Sequence, residues 1–157
     1  NTKGIRMNEP KLKLIALDMD GEDAVSLYTG NTAYSRLGSK KDVTIRRLDA
    51  LTGEEIWCYN IKCDYDKDQR SGCKASPVVG QHGIANLVIF TVNQVAEGGS
   101  RVIALNKDNG SVAWTYDLEN ETVSSPVAVY NEAGEAWIIQ ADQKGRVYLH
   151  RLRRTVV

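Results

Sequence analysis

The chain has 157 residues, 42% hydrophobic and 25% charged, which is enough for one soluble domain with a real core and too apolar for a disordered segment. Its 20 basic and 20 acidic side chains cancel. No long-range field therefore favours nucleic acid or an anionic membrane, and with no apolar run long enough to span a bilayer, any membrane contact is expected to be peripheral.

The apolar pattern is strand-like along nearly the whole chain, in short segments that alternate or run apolar between Gly, Asn and Asp. In order the predicted strands are KLKLIAL (11–17), AVSLYTG (24–30), VTIRRL (43–48) and EIWCYNI (55–61). ASPVVG (75–80), NLVIFTV (86–92), RVIAL (101–105) and SVAWTYDL (111–118) follow, then SSPVAVY (124–130), EAWIIQA (135–141) and GRVYLHRL (145–152). These eleven segments, with no capped helical period among them, define an all-β fold.

The segments repeat. LDALTGEEIW (48–57) returns as LNKDNGSVAW (105–114), with Leu48, Gly53 and Trp57 matching Leu105, Gly110 and Trp114. At an offset of 62, Gly21, Val25, Thr29 and Asn31 align with Gly83, Leu87, Thr91 and Asn93. An offset of 49 lays Ser76-Pro77 on Ser125-Pro126 and Asn93 on Asp142, and Leu152, 26 residues after Pro126 where Leu105 is 28 after Pro77, is expected at the place of Leu105. Tandem four-stranded antiparallel units of this size make a partial β-propeller. The expected blades are 12–61, 74–118 and 123–157, the last lacking its closing strand, all within one domain, 1–157. Residues 1–13 are a candidate for that missing strand. Gly53 and Gly110 supply a turn with positive φ, and Trp57 and Trp114 are expected to pack between neighbouring blades. Pro77 and Pro126 open the corresponding first strands.

LDALTGEEIW, LNKDNGSVAW, ASPVV and SSPV together resemble the tryptophan-docking repeat of the pyrroloquinoline-quinone-like propellers, over about 18–152. Lys107 and Asn109 depart from that pattern, as does LIAL in the first unit. The resemblance implies an extracytoplasmic bacterial protein with more blades than this chain carries. The chain begins with Asn, and is expected to be trimmed from something longer. The function implied is a non-catalytic binding or scaffold module that presents loops to a protein or glycan partner, with self-association through open blade faces. Two alternatives belong to the same resemblance. One is a fragment of a quinone-dependent dehydrogenase, whose site uses calcium, an Asp base and often a disulfide of adjacent cysteines. The other is a propeller lipoprotein of outer-membrane protein assembly.

Little in the chain points to catalysis. There is no adjacent cysteine pair, no Walker-type loop, no GxGxxG and no Ser/His/Asp grouping, so no cofactor is expected, quinone and calcium included. Asp64, Asp66 and Asp68 are spaced as at the start of a calcium loop, but Gln69 and Ala75 stand where such a loop wants Gly and Glu. A polar inter-blade loop is the expected reading, with metal binding as the alternative. Cys63 and Cys73 flank that loop. The residues alone leave a bridge and two reduced thiols level, and the extracytoplasmic habit of the resembled family favours the bridge. Cys58 is expected to pack as a small apolar residue. His82 and His150 lie outside metal-ligand spacing with the cysteines, which argues against zinc, and are expected to be structural or solvent-facing. Asn31, Asn93 and Asp142, ending equivalent strands, are expected to form turns rather than line one channel. Trp137 and Tyr148 are expected in packing rather than as a binding platform.

Overall fold

The structure, a computed structural model, describes residues 14–19, 25–34, 43–62, 70–93, 95 and 99–152. Its first unit contains β1 (Leu14–Met19), β2 (Val25–Gly30), β3 (Thr32–Tyr34), β4 (Val43–Asp49) and β5 (Glu55–Ile61). The second contains β6 (Arg70–Cys73), β7 (Val78–Val79), β8 (Leu87–Asn93), β9 (Ser100–Asn106) and β10 (Val112–Leu118), and the third β11 (Val127–Tyr130), β12 (Ala136–Ala141) and β13 (Val147–Leu152). A 3-10 turn at His82–Ile84 sits between β7 and β8. Every predicted segment overlaps a strand, and all pairings are antiparallel.

The first sheet runs β1-β2-β4-β5, the second β10-β9-β8-β6-β3 with β7 also on β8, and the third β11-β12-β13. Two strands have no counterpart among the predicted segments. β3 is the continuation of β2 past Asn31, and it leaves its own sheet to pair with β6. β6 in turn pairs with the end of β8 through Gly72↔Asn93 and Cys73↔Val92. The long linker between the first two units is thus partly sheet, joining blade 1 to blade 2. Three residues in one case, and the polar RSGC in the other, give no apolar alternation to read.

β8 is buried along all seven residues because both its faces are covered. Period-2 geometry sorts them. Val88, Phe90 and Val92 join Tyr28, Val43, Ile45, Trp57 and Ile61 in the core between blades 1 and 2, with Ile103 and Leu105 of β9. Leu87 and Ile89 turn the other way, with Val102 and Ala104, into a second core against Ala136 and Ile138 of blade 3. Such two-sided burial explains why the middle strands read as continuous apolar runs.

The strand registers confirm one repeat offset and correct two. Leu48↔Glu55 and Arg47↔Trp57 in blade 1 match Leu105↔Val112 and Ala104↔Trp114 in blade 2, an offset of 57 with the same one-residue bulge, at Ile56 and at Ala113. The second strands, however, align at 61 rather than 62: Tyr28 pairs with Arg47 as Ile89 pairs with Ala104. In blade 3, Ala128↔Ile138↔His150 corresponds to Val79↔Val88↔Leu105. The Pro77–Pro126 offset of 49 is kept there, but the β8–β12 offset becomes 50, and His150 rather than Leu152 stands where Leu105 does. A slip of one residue transfers every side chain to the opposite face, so Asn31, Asn93 and Asp142 do not occupy equivalent positions.

Candidate functional site at the blade interfaces

Blade 1 grips the β9–β10 turn of blade 2. Asn106 N–H donates to Ser111 O and Gly110 N–H to Asn106 O, at 2.8 and 2.9 Å, and Gly110 adopts φ 70°. Trp57 lies flat against that glycine: a Cβ there would stand 2.8 Å from Cδ2 and Cε3 of the indole. The indole N–H donates to Lys107 O at 2.6 Å, and the Arg47 guanidinium donates to the same carbonyl at 2.8 Å. Arg47 is oriented by Ser26 Oγ at 2.8 Å and lies over the Tyr28 ring. The Lys107 ammonium, nearly buried, pairs with Asp18 of β1 at 2.6 Å and donates to Gly80 O at 3.2 Å. A buried charge needs such a partner. Trp57, bent inward by the bulge at Ile56, is thereby both packed and hydrogen-bonded, as a buried indole requires.

The interface between blades 2 and 3 is built differently. Trp114 faces His150 with ring centroids 5.0 Å apart, and Tyr116 sits 5.5 Å from His150 and 6.3 Å from Tyr148. Trp114 is only half-buried, yet its indole N–H is shielded from water and has no acceptor among the described residues. The cleft beneath these rings, floored by Val102, Leu118, Ile138 and Gln140, has a volume of about 10 Å³. That is room for roughly one water molecule, and far too little for a small-molecule ligand.

Polar side chains fill the rest of this interface and satisfy one another. Thr91 Oγ1 donates to Gln140 Oε1 at 3.0 Å, and Gln140 Nε2 donates to Thr122 Oγ1 at 2.6 Å. Asn93 Oδ1 accepts from Thr122 N–H at 2.8 Å and from Ser100 Oγ at 2.6 Å, while its Nδ2 donates to Thr122 O. Asp142 folds its own turn: Oδ1 accepts from the Lys144 and Arg146 N–H groups at 2.9 Å, and Oδ2 from Asn120 and Tyr148. Burial pushes the Asp142 pKa up, but hydrogen bonds from Asn120, Arg146, Tyr148 and Lys144 outweigh it and hold the carboxyl at about 2. Asn31 likewise accepts from Thr44 N–H at 2.6 Å. These groups are occupied by the fold.

The remaining predicted residues are scattered. His82 stands edge-on to Tyr130 at 5.1 Å, and Arg151 lies over Trp137. Pro77 and Pro126 are both buried at the starts of their strands, where Ser76 N–H meets Ser125 Oγ at 3.1 Å. Cys73 is buried so close to Gly30 that a Cβ on the glycine would strike its Sγ. Cys58 is exposed, against expectation, because strand alternation turns it away from Trp57. A hydrogen bond to Glu55 pushes its thiol pKa up. Asp64, Asp66, Asp68 and Cys63 lie outside the described residues, as do residues 1–13. Among the described residues no three His, Cys, Asp or Glu side chains are grouped to hold a metal ion, and no helix is long and apolar enough to cross a membrane. Sequence reasoning missed Asp18, Arg47 and Gln140. Lys107 had left one signal, its departure from the repeat pattern at the position that blade 1 grips.

Among the described residues, apolar side chains are exposed on both outer sides of the stack. On blade 1, Leu17 and Met19 are 61% and 67% exposed; on blade 3, Val127, Val129, Val147 and Leu149 are 46–69% exposed. The latter four share their face with Trp137 and Ile139 by register.

Residues 41–153 match the family model described as outer membrane protein assembly factor BamB. No curated protein matches the chain.

Proposed function

The chain belongs to that family of PQQ-like repeat propellers, and from this premise we propose that it is a non-catalytic scaffold module working outside the cytoplasm, which docks protein through its open blade faces. The observation that carries the reading is the pair of apolar sheet faces at the two ends of the stack, Leu17 and Met19 on one and Val127, Val129, Val147 and Leu149 on the other. Exposed apolar patches of this kind mark interaction surfaces. Among the described residues, the buried polar side chains at the blade interfaces are bound to one another, which favours scaffold over enzyme. The family's description as an assembly factor of the outer membrane supports both the partner class and the compartment. The simplest partner with a matching face is another blade stack, a second copy of the chain included.

Light scattering at two protein concentrations tests this. The expected result is a mass that rises with concentration and returns to that of the monomer in Leu17→Glu and in Leu149→Glu, each of which puts a charge on one face. A monomer at both concentrations overturns the reading of these faces as mutual docking surfaces.

A further inference from the structure

Two successive residues of β8 meet the two neighbouring blades through the same set of three positions, filled in opposite ways. Phe90 faces blade 1, beside Gly30 and Cys73: a Cβ on Gly30 would strike Cys73 Sγ and stand 3.5 Å from Cε1 of the Phe90 ring. Thr91 faces blade 3, where its hydroxyl donates to Gln140 Oε1 at 3.0 Å and Gln140 Nε2 donates to Thr122 Oγ1 at 2.6 Å. The registers make the two trios equivalent. Gly30↔Ile45 in blade 1 corresponds to Thr91↔Val102 in blade 2, and Phe90↔Ile103 in blade 2 to Gln140↔Tyr148 in blade 3. Cys73 and Thr122 each stand four residues before the strand-opening Pro77 and Pro126. All six residues are buried. The same three places therefore hold Gly, Cys and Phe at one interface and Thr, Thr and Gln at the other.

We infer that this trio of positions decides which blade may sit beside which, and in what register. A phenyl ring in place of Gln140 would take away the partner of the buried Thr91 hydroxyl. An amide in place of Phe90 would meet a glycine and a weakly bonding thiol. Each mismatch buries a polar group without adequate hydrogen bonds, which is costly. Strand alternation lets β8 show its apolar member to blade 1 and its polar member to blade 3. A slip of one residue would turn each toward the wrong blade. The other side chains make no such distinction, since Val88 and Val92 in one core and Ile89 in the other are all plain aliphatics. Specificity comes here from the wrong pairing that is penalised as much as from the right one that is satisfied. The inference concerns interfaces inside the chain and does not rest on the reading of the exposed faces.

The test is the sign of a coupled substitution, read from urea unfolding midpoints of the full chain under reductant. Thr91→Ala with Thr122→Cys turns the polar trio toward the apolar one, Ala sparing the strand the entropic cost of glycine. In the parent this pair is expected to lower the midpoint. Added to Gln140→Phe, it is expected to raise the midpoint, by roughly 0.5 M urea. No loss in the parent, or no gain in the Gln140→Phe background, overturns the inference. Should Gln140→Phe alone fail to fold, the readout is whether the triple variant regains a cooperative transition. A triple variant that stays unfolded overturns the inference as well.

Discussion

The interface between blades 1 and 2 and that between blades 2 and 3 grow from the same repeat, yet they hold together by different means. The first is apolar around an indole that is 8% exposed, hydrogen-bonded and set on a glycine, with the Lys107–Asp18 ion pair beside it. The second replaces Leu105 by His150, half-exposes Trp114 and adds to its apolar core a buried network of Thr91, Asn93, Thr122 and Gln140. The lesson is that a docking tryptophan is worth what its acceptor blade offers. Donor strands of one repeat give unequal contacts when the residues that receive their tryptophans differ, a glycine turn for Trp57 and the His150 ring for Trp114.

Truncating the two tryptophans is the strongest way to break the comparison. Trp57→Ala is expected to cost about 3–5 kcal/mol, the range for a fully buried aromatic. Trp114→Ala is expected to cost roughly half as much, because less surface returns to water and no hydrogen bond is lost. Urea unfolding midpoints decide it, and equal losses would mean that the two interfaces are equivalent after all.

The glycine turns sharpen it at an intermediate scale. Gly110→Val and Gly53→Val share a backbone penalty of about 1–2 kcal/mol for a side chain at positive φ. Only at Gly110 does the new Cβ also collide with Trp57, adding about 1–3 kcal/mol of overpacking. A Gly53 variant as unstable as the Gly110 variant would show that something already covers the first turn.

The smallest effect is electrostatic. Asp142 titrates at about 2 when folded against an ordinary 3.8, so its hydrogen bonds contribute stability that is fully present above about pH 4. That contribution fades as pH falls from 4 through 2. Asp142→Asn is expected to be less stable than the parent at pH 6 and to narrow the gap by pH 2.5, followed by urea midpoints at both values. A gap of constant width would place the source of acid sensitivity elsewhere.

Much of this was legible before any coordinates. The period-2 runs gave the strands, and the paired GEEIW and GSVAW segments gave the repeat, because a positive-φ turn and an indole leave residues that few other structures use together. β3 and β6 were not legible, since pairing between two polar insertions has no local hydrophobic signature. The register of the second strands was not legible either. Val88, Ile89, Phe90 and Thr91 are all buried, so the letters do not say which of them faces which blade.

What the sequence determined by itself, then, is the all-β class, the repeat, and the two glycine–tryptophan units, all of which are written within a single repeat. Tertiary structure alone decided how the blades meet: the shared Lys107 carbonyl, the seat of Trp114 on His150, the linker strands and the outward turn of Cys58. Those depend on surfaces brought together from residues some fifty positions apart, such as Trp57 and Lys107. A one-residue shift in register is enough to exchange every partner across such a surface.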